Sequence, residues 1–156
     1  MNIVDILKYG HQTLLDTLEG FPTAEWETSG ACGVWSVKDI LSHLTSFEHV
    51  LVDVLNTLQT GGPTPYLDRF GGEGFNDAEV GKRKDEKPFQ VLAEYKVTQA
   101  KTMDLVARIP AEKCRQPGTL PWYGEEYSLD DFVVYTYYGH KREYCAQIKL
   151  FRNRLG

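Results

Sequence analysis

Four segments of the chain repeat apolar residues at the three- and four-residue spacing that is typical of an amphipathic helix. They extend over about residues 3–19, 36–58, 88–109 and 128–155. No segment of useful length shows the two-residue alternation of a half-buried strand. The sequence therefore predicts an all-α fold, a four-helix bundle formed by a single domain over residues 1–156.

The second and the last predicted helices begin with the same capping arrangement. Ser36 and Ser128 are placed to cap, and Asp39 and Asp131 follow three residues later as capping-box acids. Each start also has the apolar pair of a hydrophobic staple, Trp35 with Ile40 and Tyr127 with Phe132. Such firm starts favour a rigid scaffold that can hold a site.

A long connection, residues 59–86, separates the second and third predicted helices and is rich in glycine and proline. Connections of this length are uncommon in compact domains. An extended chain reaches about 3.3 Å per residue, so the connection can cross the length of a bundle. We therefore expect the third helix to run parallel to the second, with a short helix in the middle of the connection, at about residues 75–83.

The last predicted helix carries polar residues in the middle of its apolar stripe. At 100° per residue, one face collects a set of apolar and aromatic side chains: Leu129, Val133, Tyr137, Tyr144, Ile148, Phe151 and Leu155. Thr136, His140 and Gln147 fall on the same face. Since an unpartnered buried polar group costs about 1–3 kcal/mol, these residues must bond to one another, to water, to a metal or to a ligand. The pattern indicates that this helix forms one wall of a site.

Other polar residues lie near the apolar faces of the first two helices. His11 points near the centre of the first stripe, where it either bonds to a neighbouring helix or joins a polar centre shared with the last helix. His43 lies at one edge of the second apolar face and Glu48 borders the opposite edge. His49 is predicted to project outward into solvent.

Composition and charge exclude some classes of partner. The net charge is −5 and no basic run occurs, which argues against general binding to nucleic acid or to an anionic membrane. The N-terminus lacks the basic start and unbroken apolar region of a signal peptide, and no apolar run is long enough to span a bilayer. The three cysteines have no metal-type spacing, so we expect reduced thiols in a cytoplasmic protein, with Cys145 as an apolar filler.

Three stretches carry a resemblance to a known family. They are W-S-V-K-D-I-L-S-H-L at residues 35–44, the Phe75-Asn76 pair in the long connection, and G-H-K-R-E-Y-C-A-Q-I at residues 139–148. In order and loop length the chain resembles the DinB-like four-helix-bundle superfamily, with its DinB/YfiT-like metalloenzyme fold. The most similar layout is that of the ClbS/DfsB branch, which includes a self-protection protein that hydrolyses a reactive cyclopropane. Other branches are metal-binding hydrolases or thiol-dependent transferases.

The resemblance implies a divalent metal, zinc or nickel, bound by three histidines. One histidine comes from the second helix and two come from an i, i+4 pair on the last, and the matching positions here are His43, His140 and Tyr144. The third is a phenol with an ordinary pKa of about 10, which rarely binds these metals at neutral pH. Unless Glu48 or His11 joins them, we expect no tightly bound metal but a polar pocket in which Tyr144 bonds to His140 or His43.

Three functions are compatible with these residues. The first is a hydrolase or resistance protein that acts on a reactive small molecule in a pocket between the second and last helices. There His140 and Tyr144 serve as acid and base, Glu48 orients a water, and Trp35 and Trp122 form aromatic walls. The second is a module that binds a small molecule without turnover. The third is a structural, degenerate member of the superfamily. Pairing of two copies along their helices is compatible with all three.

Overall fold

A computed structural model describes residues 2–156, so Met1, the first residue of the predicted domain, lies outside the described residues. Eight α-helices occur in this part of the chain: α1 (Ile3–Glu19), α2 (Val37–Thr57), α3 (Pro65–Arg69), α4 (Phe75–Lys82), α5 (Pro88–Val106), α6 (Ala111–Arg115), α7 (Leu129–Phe132) and α8 (Gly139–Leu155). A 3₁₀ turn, Thr23–Glu25, and a π-helical segment, Val133–Tyr138, complete the helical elements. No strand occurs among residues 2–156, so the all-α prediction is confirmed.

Four long rods form the bundle: α1, α2, α5 and the continuous segment from α7 to α8. α2 and α5 make the most extensive contact. His49 of α2 bonds to Glu94, and Gln59 just beyond α2 donates to the Leu105 carbonyl. Because the numbers rise together along both helices, α2 and α5 run parallel, as the long connection predicted.

The last rod runs antiparallel to α2. His43 meets His140, while Tyr137 donates from its hydroxyl to the Phe47 carbonyl at 2.9 Å. α1 packs against the last rod and, less closely, against α5. Each rod therefore packs against two others. A polar side chain halfway along one rod can contact polar side chains from both of its neighbours.

The predicted capping boxes are both present. The Ser36 hydroxyl accepts from the Asp39 amide at 3.1 Å, and the Asp39 carboxylate accepts from the Ser36 amide at 3.0 Å. Ser128 and Asp131 repeat the arrangement at 3.2 and 2.9 Å. The middle of the connection forms α4 where a short helix was predicted, whereas α3 and α6 were not predicted.

The last rod differs from the predicted continuous α-helix. In the segment Val133–Tyr138 a backbone amide donates its hydrogen bond to the carbonyl five residues earlier, as from Gly139 to Val134. The segment therefore contains about one residue more than an α-helix would need to make the same turn. The buried residues beyond it are accordingly Lys141, Cys145, Ile148 and Phe151. His140 and Tyr144, predicted to point to the centre, are half-buried at the side of the stripe.

A polar layer divides the core into two apolar clusters. One cluster lies at the end of the bundle where α7 is and includes Leu7, Val54 and Phe132. The other lies towards the opposite end and includes Leu14, Leu41 and Ile148. Between them, each of the four rods contributes polar side chains, which include His11, Glu48, Gln99, Thr102 and Lys141. None of the helices between residues 2 and 156 is long and apolar enough to cross a membrane.

Candidate active site

Two histidines from different rods meet between α2 and α8. The Nε2 atoms of His43 and His140 lie 3.2 Å apart, within hydrogen-bond distance. His43 is 2% exposed, because its position on α2 directs it between the helices, while His140 is half-buried. The structure therefore brings together two of the three residues that match the family's metal positions.

Aromatic rings surround the histidine pair. The ring centroids of Trp35 and Phe47 lie 5.1 and 4.7 Å from that of His43, and Phe47 lies 4.6 Å from His140. Phe70, carried by the long connection, packs edge-on against Phe47 at 5.3 Å. The rings packed against the histidines are therefore Trp35, as predicted, and Phe47, with Phe70 behind Phe47. Such walls suit the apolar part of a small molecule.

Trp122 was predicted as a second wall, and the structure places it elsewhere. Its ring packs against Phe132 and Tyr123, at 5.2 and 6.0 Å, where the loop before α7 meets the last rod. Phe132 precedes His140 by two turns of helix, so Trp122 covers the end of the bundle and not the histidine pair.

Tyr144 lies beside both histidines without bonding to either. Its ring centroid is 5.4 Å from that of His43 and 5.0 Å from that of His140, with edge-on geometry. Its hydroxyl makes no hydrogen bond among residues 2–156, so the predicted bond from Tyr144 to a histidine is absent and the histidines bond to each other instead. Burial raises the pKa of Tyr144, with the nearby Cys32 thiol adding to the shift, so the phenol keeps its proton at neutral pH.

Both histidines are neutral at pH 7. Burial, and then the neighbouring His140, lowers the pKa of His43 to about 4. Burial also lowers the pKa of His140. One N–H must therefore lie between the two Nε2 atoms, donated by one ring and accepted by the other.

The surroundings of His43 indicate which ring donates. Its Nδ1 atom is buried and has no partner. An unpaired N–H in such a place is rarer than an unpaired lone pair, which favours the tautomer of His43 with its lone pair on Nδ1 and an Nε2–H that donates to His140. His140 then holds its own proton on Nδ1, at the half-buried side of its ring.

The donors present do not fit a tightly held metal ion. The 3.2 Å between the two Nε2 atoms is close to the roughly 3.3 Å expected for two ligands of a tetrahedral zinc ion. However, no third histidine, cysteine or carboxylate joins them in the part of the chain that the structure describes, and Tyr144 holds its proton. Ligating histidines normally donate from the other ring nitrogen to a partner, and His43 has none.

Glu48 was predicted to orient a water at this site, and the structure gives it other partners. Its side chain is 0% exposed and accepts a short hydrogen bond from the ammonium group of Lys141, as well as one from Thr102 at 3.3 Å. These bonds occupy both carboxylate oxygens. Glu48 therefore belongs to the polar layer in the middle of the bundle and is not free to serve the histidine pair.

His11 joins the same polar layer from α1. Its Nδ1 atom lies 3.2 Å from the Tyr95 hydroxyl, and Tyr95 in turn lies beside Lys141, whose Nζ is 5.3 Å from the centre of the ring. Burial raises the pKa of Tyr95 to about 12, so the hydroxyl remains protonated. Both alternatives left open for His11 are therefore met, since it bonds to a neighbouring helix and lies next to the last rod.

His49 is not solvated as predicted. Its Nε2 atom lies 2.7 Å from the Glu94 carboxylate, and its ring stacks on Tyr66 at 4.4 Å. Glu94 also accepts two hydrogen bonds from Arg83, a guanidinium that is 1% exposed. This cluster fastens the long connection to α2 and α5, and the same connection carries Phe70, which packs against Phe47.

Lys141, Tyr95 and Phe47 are the main residues that the sequence pattern missed. Lys141 was overlooked because the π-helical segment shifts the inward face by about one residue. Phe47 and Tyr95 lie on the apolar stripes of their helices, where an aromatic residue is usually a core residue. The sequence carries one signal that Lys141 faces inward: it lies four residues after Tyr137 and four residues before Cys145.

Comparison with known proteins gives one result. The family model described as the DinB superfamily matches residues 6–143 of the chain. No curated protein and no solved structure matches.

Proposed function

This chain belongs to the DinB superfamily, and from that premise we propose that the pocket at His43 and His140 hydrolyses a reactive, partly apolar small molecule, as in a ClbS/DfsB-type resistance protein. The observation that carries the proposal is that the rings of His140 and Tyr144 lie 5.0 Å apart on α8, among the aromatic rings around His43. The proposal takes the Nδ1–H of His140 and the Tyr144 hydroxyl as its two donors. Three free thiols suit a cytoplasmic setting for this activity.

The two donors act on an oxygen of the substrate. When water attacks an electrophilic carbon, negative charge develops on the oxygen that the carbon releases or polarises. His140 and Tyr144 stabilise that charge by hydrogen bonds, and the oxygen then takes a proton while the attacking water loses one to solvent. The reaction adds one water across the broken bond. His43 does not meet the substrate, but its N–H fixes the tautomer of His140.

The proposal needs no resident metal. The donor set offers two imidazoles and a protonated phenol, which favours hydrogen-bond chemistry over metal chemistry at this place. Neither does the proposal use Glu48, whose oxygens are held by Lys141 and Thr102.

A second function is favoured by the absence of a base. The His140 Nε2 lone pair accepts from His43, and Glu143, the carboxylate whose charge acts on His140, is exposed to solvent, so neither is a buried base at this place. A pocket with donors and aromatic walls but no base suits a module that sequesters an electrophile without turnover. The structural alternative requires that the pocket bind nothing.

Water addition to strained electrophiles tests the proposal. The probes are aryl-substituted epoxides and cyclopropyl ketones, and mass spectrometry counts the hydrated product. We expect His140→Phe and Tyr144→Phe each to lower kcat/KM by about 100-fold, the range found for loss of one such donor. Tyr138→Phe is the matched control, because Tyr138 is on the same rod but faces α1, and it should leave the rate unchanged.

The other outcomes separate the alternatives. Binding of the probes without hydration supports the sequestering module, and neither binding nor hydration supports a structural role. Elemental analysis after addition of nickel or zinc tests the metal. If the protein retained one ion per chain and His43→Ala removed it, the metal-free form of the proposal would be wrong.

A further inference from the structure

A second site faces the other side of the bundle, between α1 and α5. A groove of about 550 Å³ opens there, within the range of small-molecule pockets. The groove is open because α1 packs against α5 much less closely than α2 packs against α5. Its lining includes His11 and Gln99 as polar groups and Tyr9 and Met103 as apolar ones.

Gln99 is the first observation that points to a ligand. Its residue is 6% exposed, yet its side-chain amide makes no hydrogen bond among residues 2–156. Only two buried side-chain atoms between residues 2 and 156 have no partner, and neither is in Gln99, so its amide faces the groove and bonds there to water or to a ligand. The amide offers one acceptor and two donors to whatever enters the groove.

The hydrogen bonds of the polar layer indicate which ring nitrogen of His11 carries its proton and can donate into the groove. Lys141 can only donate; it donates to Glu48, and its positive charge lies beside Tyr95, where it repels the hydroxyl proton. Tyr95 must therefore direct its own proton to Nδ1 of His11. His11 then carries its proton on Nε2, the atom not used in the layer.

The charges at the groove select against ions. Asp5 and Lys8, both exposed on α1, line it with opposite charges. Their fields offset each other, and the remaining lining is neutral. Met103 and Tyr9 add apolar surface that would cover a hydrocarbon or aromatic part of a ligand.

We propose that this groove binds a neutral small molecule that bears a carboxamide or lactam group on an apolar body. The ligand's carbonyl oxygen accepts from Nε2–H of His11, and the Gln99 amide completes the recognition by pairing with the ligand's own amide. The site is separate from the His43–His140 pair, since that pair lies between α2 and α8 and the polar layer lies between it and the groove.

Binding of N-phenylacetamide tests the site, with n-propylbenzene as a probe of similar size without polar atoms. NMR signals of the Met103 methyl group and the histidine ring nitrogens report occupancy in the full chain. We expect N-phenylacetamide to shift both and to bind at least about tenfold more tightly than n-propylbenzene. Gln99→Met and His11→Phe should each weaken it by about tenfold, while Gln147→Met, on α8, should not.

Two results would overturn the proposal. The first needs no variant: nitrogen shifts of the free protein should show His11 as the Nε2–H tautomer, and an Nδ1–H tautomer contradicts the hydrogen-bond chain. The second is a loss of N-phenylacetamide affinity in His140→Phe, which would place the probe in the histidine-pair pocket. Loss of hydrolysis in His140→Phe with unchanged N-phenylacetamide binding supports both sites separately.

Discussion

Glu48 accepts a hydrogen bond from Lys141 in the middle of the bundle, where the two side chains are 0% and 5% exposed. The two residues come from helices far apart in the chain, and Thr102 and Tyr95 surround them. Removal of two charges from water costs several kcal/mol per ion, which only their mutual attraction and added hydrogen bonds offset. We therefore expect the pair to add little net stability compared with an apolar pair of similar size.

Removing one partner of this pair should destabilise the protein strongly. Lys141→Met leaves the Glu48 carboxylate buried without a counter-ion, and we expect the free energy of unfolding to fall by about 3–5 kcal/mol. The double variant Glu48→Met with Lys141→Met should recover most of that loss, since buried pairs are often replaced by apolar residues without cost. Urea denaturation measures both. Equal losses in the single and double variants would contradict this account.

Alkaline pH should weaken the fold through Lys141. Burial alone lowers the pKa of this lysine, but Glu48 and Tyr95 together raise it above its ordinary value. The stabilisation is complete below the unfolded pKa of about 10.4 and declines as the pH rises above it, because the unfolded chain then releases a proton that the folded chain retains. Denaturation midpoints between pH 9 and 12, compared with the double Met variant, measure the difference; equal slopes would argue against it.

Acidic pH should weaken the fold through the histidine pair. The pKa of His43 is lowered from 6.5 to about 4 by burial and by His140. The stabilisation is complete above pH 6.5 and is lost as the pH falls to about 4, for a total of roughly 3 kcal/mol. Denaturation of the protein and of His43→Phe over this range isolates the contribution. An NMR titration that found an ordinary pKa for His43 would refute it.

Glu94 should stabilise the folded position of the long connection between α2 and α5. Its pKa is lowered to about 2, first by the hydrogen bond from His49 and, against the effect of burial, by Arg83. In Glu94→Gln the 1% exposed Arg83 loses a charged partner, so we expect hydrogen exchange of residues 65–86 to accelerate by at least about tenfold. Asp104→Asn, which breaks the exposed pair with Arg108, is the control and should change stability by less than about 1 kcal/mol.

The π-helical segment should tolerate a deletion that the rest of the rod does not. Removal of Tyr135, which is 64% exposed, takes out the extra residue and lets Val133–Tyr138 close as an α-helix with both flanks facing as before. Removal of the exposed Arg142 instead rotates everything beyond it by about 100° and turns Cys145 and Ile148 away from the core. Thermal unfolding should remain cooperative in the first deletion variant, whereas the second should show no cooperative transition.

Much of the fold was determined by the sequence alone. The apolar periodicity, the capping boxes at Ser36 and Ser128, and the length of residues 59–86 predicted four rods with α2 parallel to α5. These signals are local: a cap or an apolar stripe depends on residues a few positions apart. The sequence also identified His43 and His140 as partners, through the resemblance of two short stretches to one family.

Only the tertiary structure decided which polar residues meet. The π-helical segment rotated the last rod, so Lys141 and not His140 entered the centre, and Glu48 bonded to it instead of serving the histidines. The long connection brought Phe70 against Phe47, while Trp122 packed at the end of the bundle. Such pairings depend on how each rod is rotated about its axis, and a one-residue change in helical register alters that rotation without leaving a clear mark in the local pattern.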